Sequence, residues 1–387
     1  MRIGLLAYPT SGGSGVIAAE LGMALAARGH EIHLFSYKTP FRLRPTGERF
    51  RWHEISIPQY PLFEYPSYGM AAACKVAEVE LDLLHVHYAY PHAVSAFLAK
   101  EMSGRRLRTV TTLHGTDILL VGQDASFARA TRFGLERSDA VTAVSRFLGE
   151  KTRSWFETTP AIEVIPDFVD TRRFSPGRRR TRAIVHVSNF RAVKRTADAV
   201  RTFYLVRKKC DASLILVGAG PEQDSVRELA RKLGVAKDVT FAGEEPDVQK
   251  RLRGAACLLS TSEFEGFGMA PLEAMACGVP VVTTDSGGVT EVVSESCARV
   301  APVGDVEALA GHVAEIVKDP ALGRAMGAAG RRRAEESFDV DRVVPLYESL
   351  YKRVCGAPDA EDSPVQGRPP QHREGRRRSF EADDPAV

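Results

Sequence analysis

Short, continuous apolar runs alternate with longer stretches in which apolar side chains recur every three or four positions, and the alternation persists along most of the chain. The apolar runs at 2–8, 31–37, 83–88, 108–114 and 140–145 read as strands. Between them lie helical patterns such as 15–28, where Val16, Ile17, Leu21, Ala24 and Leu25 share one face. A second series of strands is expected near 183–189, 213–218, 239–243, 256–261 and 279–284. Strands that are apolar throughout and separated by helices predict parallel sheets covered on both faces. The fold class is therefore α/β, with two doubly wound, Rossmann-like parallel-sheet domains facing across a cleft.

The segment after Pro166, D-F-V-D-T-R-R-F-S-P-G-R-R-R-T-R, is rich in proline, glycine and charge and reads as the connection between the two series. The expected division is an N-terminal Rossmann-like domain over 1–168 and a second over 169–338. A last helix over 339–355 crosses back to the first domain. Residues 356–387 carry almost no apolar content and read as a disordered tail.

A length of 387 residues exceeds one ordinary core. The net charge is only +3, which gives no global field for nucleic acid, and the short arginine runs at 178–180, 331–333 and 376–378 read as solvated surface. No apolar run approaches the ~18 residues that cross a bilayer, and the first residues enter a strand directly rather than a leader peptide. The cytoplasm is the expected location. The six cysteines have no metal-ligand spacing and read as buried reduced thiols.

The chemistry concentrates where strands end. In E265-G-F-G-M-A-P-L-E273, two carboxylates bracket a glycine turn and a helix start. The amides of Gly266, Phe267, Gly268 and Met269 then face a helix N-terminus, where unpaired donors favour an anion such as a diphosphate. Glu265 is placed to accept hydrogen bonds from sugar hydroxyls and Glu273 from a ribose diol. The plainer alternative makes Glu265 a helix cap and Glu273 a surface charge.

S11-G-G-S-G15 follows the first strand and opens a helix, so Gly13, Ser14 and Gly15 offer a second anion-binding turn. Its spacing is not G-x-G-x-x-G, and no acid follows the second strand, which argues against a dinucleotide dehydrogenase. L84-H-V-H-Y-A-Y-P-H92 holds three histidines but no carboxylate or thiol at ligand spacing, so no metal site is assigned there. Tyr90 is the better substrate contact. H114-G-T-D117 ends another strand, and His114, Thr116 and Asp117 are expected to project into the cleft. In S188-N-F-R-A-V-K-R195, Arg191, Lys194 and Arg195 supply positive charge for phosphoryl oxygens. Gly218 and Gly220 of V-G-A-G-P form a compact turn suited to a base or ribose.

Taken in order, these motifs resemble the GT-B glycosyltransferases of family 4, retaining enzymes that use nucleotide sugars, over residues 1 to about 355. G4-L-L-A-Y-P-T-S-G-G-S-G-V, K38-T-P-F-R-L43, the 85–93 segment, L113-H-G-T-D-I118 and T131-R-F-G-L-E-R-S-D-A-V-T-A-V-S145 look most like the subgroup that moves GlcNAc from UDP-GlcNAc to L-malate at the start of bacillithiol synthesis. The resemblance implies Glu265 on the GlcNAc hydroxyls and Glu273 on the uridine ribose. Lys194 with Arg195 or Arg191 would face the diphosphate, and His114 the donor sugar or phosphate. His114, Lys194 and Glu265 would be the catalytic set. Malate would meet Gly13, Ser14, Tyr90, Thr116 and Arg132, the last as a bidentate cation. Where many relatives carry arginine, this chain has Asn189, and Arg191 takes over part of that charge.

Retention without an enzymic nucleophile implies same-face substitution in which the departing UDP phosphate takes the acceptor proton, with no metal and no cofactor. The implied partners are UDP-GlcNAc and L-malate, with no nucleic acid and no stable membrane association; a homodimer is left open. Two rivals stay open too: a family 4 enzyme with an inositol phosphate or lipid acceptor, and a non-catalytic nucleotide-sugar sensor. The basic, aromatic stretch 38–52 would suit a membrane surface, but it lacks helical amphipathicity and is read as a loop.

Overall fold

The structure, a computed structural model, describes residues 1–44, 47–57, 67–156, 161–177 and 181–356. Residues 1–355 form one compact unit. The tail predicted over 356–387 lies, from 357 on, outside the described residues.

Thirteen strands among the described residues make two parallel sheets. The first contains β1 (Arg2–Leu6), β2 (Glu31–Ser36), β3 (Phe50–Glu54), β4 (Leu83–His87), β5 (Arg108–Leu113), β6 (Ala140–Ala143) and β7 (Ile162–Val164), in the order β3-β2-β1-β4-β5-β6-β7. The second contains β8 (Ala183–Val187), β9 (Ser213–Val217), β10 (Val239–Gly243), β11 (Cys257–Ser260), β12 (Val281–Thr284) and β13 (Ala298–Ala301), in the order β10-β9-β8-β11-β12-β13. In register, Ile3 lies opposite both Ile32 and Leu83, and Ile184 opposite both Leu214 and Cys257, so the central strands are buried on both faces. Each sheet reverses its winding once, between β1 and β4 and between β8 and β11. Such reversals open a crevice beyond the carboxyl ends of the strands, and the two crevices face each other.

β3, β7 and β13 were not expected from the apolar pattern. All three are edge strands, and β3 reads F-R-W-H-E with only Phe50 buried. Part of the stretch 38–52 is therefore strand rather than loop.

The core of the first sheet joins Ile3, Leu5, Ile17 and Leu21 to Tyr347 and Tyr351 of the last helix, Val340–Gly356. That helix thus packs on the first sheet, although it follows the second in sequence. The second sheet buries Ile184, Leu214 and Leu216 against Phe203 and Val313. At about 25 cal/mol per Å2 of apolar surface, each such aromatic side chain contributes a few kcal/mol, which fixes the lobes as rigid walls for what lies between them.

Candidate functional site

A cleft of about 620 Å3 is lined from both sheets by the segments that leave β1, β2, β4, β5, β7, β8, β9, β10 and β11. The glycine turn after β1 opens the helix Gly13–Ala27, whose N-cap is Gly12 and whose first turn carries no side-chain cap and no acid. Gly13 and Ser14 line the cleft, and a Cβ on Gly13 would come within 3.3 Å of Met269 across it. Ser11 donates to Glu244 at 2.5 Å, and Ser14 donates to the Tyr88 hydroxyl at 2.7 Å.

Opposite stands the glycine turn after β11. Gly268, with φ +115°, caps the helix Met269–Ala276, and the residues from Glu265 through Met269 all line the cleft. Glu265 does not cap that helix. Its Oε1 accepts from the Lys194 ammonium at 2.8 Å and from Ser262 at 2.7 Å. Lys194 ends a short turn, and its carbonyl is held by Thr261 at 3.0 Å, so the cation is fixed against the wall. Glu273 is not a surface charge either: it is 3% exposed, on the cleft floor, with Arg42 donating to it at 2.5 Å.

The lobes meet at two glycines. A Cβ on Gly115 would come within 3.1 Å of the Gly266 Cα, and a Cβ on Gly266 would strike the His114 carbonyl. Ser145 donates to the Gly266 carbonyl at 2.6 Å, and Glu291 accepts the amides of Arg146 and Phe147. H114-G-T-D and E265-G-F-G are thereby locked together.

His114 lines the cleft with its Nε2 at 2.8 Å from His87 Nδ1. His87 in turn stacks on His85, whose Nδ1 lies 2.7 Å from the Tyr351 hydroxyl. Burial, with His92 nearby, pushes His114 down to about 3, so its ring is neutral at ordinary pH and serves as a hydrogen-bond donor or acceptor rather than a cation. Asp117 departs from expectation only in part. It lines the cleft, but its carboxylate is buried and accepts the amides of Ala89, His114 and Gly115, so it also shapes the loop. Burial pushes it up to about 6 against those hydrogen bonds.

Of the other expected residues, Tyr90, Thr116, Asn189, Arg191 and Gly218 line the cleft, and the buried Oδ1 of Asn189 has no hydrogen-bond partner among the described residues. Four do not line it. Arg132 is 53% exposed on the helix Ala125–Glu136 and pairs with Glu136 at 2.7 Å, because its position in that helix turns it outward. Arg195 bends away in a left-handed conformation and pairs with Asp198 at 2.7 Å. Gly15 packs behind the first turn on the Tyr8 and Thr10 carbonyls, and Gly220 packs on the Asn189 carbonyl. Both permit close backbone packing rather than ligand contact.

Two functional candidates escaped the sequence reading. Arg42, within K-T-P-F-R-L, is buried in the cleft rather than lying in a surface loop. Asp167 is buried at the cleft wall with an unpartnered Oδ1, 3.9 Å from His114 Nδ1, and burial pushes it up to about 8. The acid directly after Pro166 was the available signal. Among the described residues no cluster of three or more histidine, cysteine or carboxylate side chains is arranged to hold a metal ion.

Comparison with known proteins covers nearly the whole chain. The family Glycosyltransferase Family 4 matches residues 11–173, and Glycosyl transferases group 1 matches residues 169–333. The chain is 41% identical over 370 residues to N-acetyl-alpha-D-glucosaminyl L-malate synthase of Bacillus anthracis, covering 92% of this chain and 97% of that protein. It is 28% identical to a GDP-mannose-dependent phosphatidylinositol monomannoside mannosyltransferase of Mycolicibacterium smegmatis, covering 80% and 87%. Among solved structures, sucrose-phosphate synthase from Thermosynechococcus elongatus superposes with a TM-score of 0.76 at 22% identity, covering 91% of this chain and 98% of that one. Anabaena HepE, in complex with UDP and glucose, gives 0.74 at 18% identity, covering 91% and 100%.

Proposed function

The chain belongs to glycosyltransferase family 4, with the GT-B fold, and from that membership we propose that it transfers GlcNAc from UDP-GlcNAc to the hydroxyl of L-malate, with retention at the anomeric carbon, as the first step of bacillithiol synthesis. The observation that carries the reading is the Lys194–Glu265 pair at 2.8 Å on one wall of the cleft, facing the Gly13–Ser14 turn on the other. Likeness to the malate synthase extends through both lobes, so it bears on the acceptor as well as the donor.

In this reading the diphosphate lies between the Phe267–Met269 amides and the cations Lys194 and Arg191, with Glu265 on the sugar hydroxyls. Glu273 holds the ribose diol. Malate lies against Gly13, Ser14, Tyr90 and Thr116, where the uncapped helix start at Gly12 favours its carboxylates. The bond from the anomeric carbon to the UDP oxygen breaks, a bond to the malate hydroxyl oxygen forms on the same face, and the hydroxyl proton passes to the departing phosphate. The protein aligns the partners and stabilises the developing negative charge. We place the reaction in the cytoplasm; no helix among the described residues is long and apolar enough to cross a membrane.

The test is to incubate the protein with UDP-GlcNAc and a panel of hydroxy acids and inositol phosphates, then identify products by mass spectrometry and anomeric coupling. The expected product is the α-glycoside of malate with one equivalent of UDP. A glycoside formed only from an inositol phosphate, or a β-linked malate product, overturns the proposal.

A further inference from the structure

Four buried charges form a chain across the floor of the cleft. Arg42 NH1 lies 2.5 Å from Glu273 Oε1 and 3.6 Å from Glu20 Oε1, and Arg173 NH1 lies 2.9 Å from the same Glu20 oxygen. They come from separate parts of the fold: Arg42 from the loop after β2, Glu20 from the helix Gly13–Ala27, Arg173 from the connection between the sheets, and Glu273 from the helix Met269–Ala276. None of the four side chains is more than 11% exposed. Both guanidinium groups lie over the ring of Phe174, at 5.6 and 5.3 Å from its centroid, which fixes their planes.

A buried carboxylate without a cation is costly, and its partner also sets its orientation. Arg42 engages only Oε1 of Glu273, and among the described residues the second oxygen of the carboxylate is left for another donor. We propose that Arg42 is a positioning residue for nucleotide recognition: it reaches from the first lobe to hold Glu273 turned so that its other oxygen accepts from the ribose hydroxyls of the donor. This rests on the ribose reading of Glu273 given above. The arrangement makes recognition of the ribose depend on both lobes, because the carboxylate belongs to one and the cation that orients it to the other.

The test measures, by titration calorimetry, the affinity of the full chain for UDP and for 2′-deoxy-UDP. Loss of a hydrogen bond to a charged group predicts that the unmodified protein prefers UDP by about tenfold or more. Arg42→Met is expected to bring that ratio close to one while UDP still binds. Arg42→Lys keeps a charge in the buried network but loses the planar guanidinium over Phe174 that sets the direction of its N–H donor, and is expected to lower the ratio at least threefold. If Arg42→Met does not fold, Arg42→Lys decides, and an undiminished ratio in either variant overturns the role of Arg42. Glu273→Ala separates the two claims. Loss of the ratio there with retention in the Arg42 variants sinks only the positioning role, whereas retention in Glu273→Ala sinks the ribose reading and Arg42 with it.

Discussion

The Lys194 ammonium and the Glu265 carboxylate are 2.8 Å apart, joined across the chain by 71 residues and held in place by Thr261 and Ser262 from the end of β11. In the absence of donor they neutralise each other. In the proposed complex a bound diphosphate and sugar part them, the cation turning to the leaving group and the carboxylate to the hydroxyls, which gives the two residues separable roles.

Lys194→Ala is accordingly expected to lower kcat by roughly 100- to 1,000-fold, the usual effect of removing one group that stabilises developing charge, while KM for UDP-GlcNAc rises much less. Steady-state kinetics decide it. A rate within a few-fold of the parent would show that the charge is carried elsewhere.

Glu265→Ala addresses the other half of the pair. Sugar transfer should fall by about two orders of magnitude while UDP affinity holds within a few-fold, since UDP lacks the hexose that the proposal sets against Glu265. Parallel loss of UDP binding would move this carboxylate away from the sugar.

The stacked histidines make stability depend on pH in a definite direction. Burial lowers His85 and His114 to about 3 and His92 to about 4, while in the unfolded chain such rings titrate near 6.5. Between those values the unfolded state binds more protons, so stability is full above about pH 6.5 and is lost as pH falls toward 3. Urea unfolding at pH 7.0 and 5.5 should differ by about 1 kcal/mol for each such ring. His114→Gln should show a shallower loss; an unchanged slope means that His114 titrates in the folded protein as it does in the unfolded chain.

Much of this architecture was legible because central strands of parallel sheets are apolar on both faces, as in L83-L-H-V-H and C257-L-L-S. The edge strands β3, β7 and β13 were not, since their exposed faces break the run. The turn residues Gly13, Ser14, Glu265 and Gly268 could be placed because a strand end, a glycine and a helix start are local signals. Arg132 and Arg195 failed for the converse reason: each found a local carboxylate, Glu136 or Asp198, and local ion pairing decided where the side chain points. Arg42 was invisible because its partners, Glu20 and Glu273, are distant in sequence and meet it only through the fold.

Charge stabilisation by Lys194, Arg191 and helix amides predicts that a divalent ion adds nothing. Protein treated with EDTA and exchanged into metal-free buffer should retain its transfer rate within about twofold, because in the proposed mechanism those groups supply the electrostatic stabilisation. A rate that collapses and returns on adding Mg2+ or Mn2+ would mean that the diphosphate is neutralised by a metal instead.

The contact of Gly115 with Gly266 carries the last prediction. The two loops approach so closely that a methyl group on Gly266 would collide with the His114 carbonyl, and that carbonyl belongs to backbone that Asp117 has already fixed through the His114 and Gly115 amides. Relief must come from moving one loop, and either movement shifts His114 relative to Glu265. Gly266→Ala should therefore cost about 1–3 kcal/mol of stability, and displacement of the order of 1 Å should reduce kcat by at least tenfold and as much as about 100-fold. Thermal melting and kinetics on the same preparation separate the two effects. A lowered melting temperature with parental kcat would mean that the glycine contact seals the lobes without setting the geometry of the reacting groups.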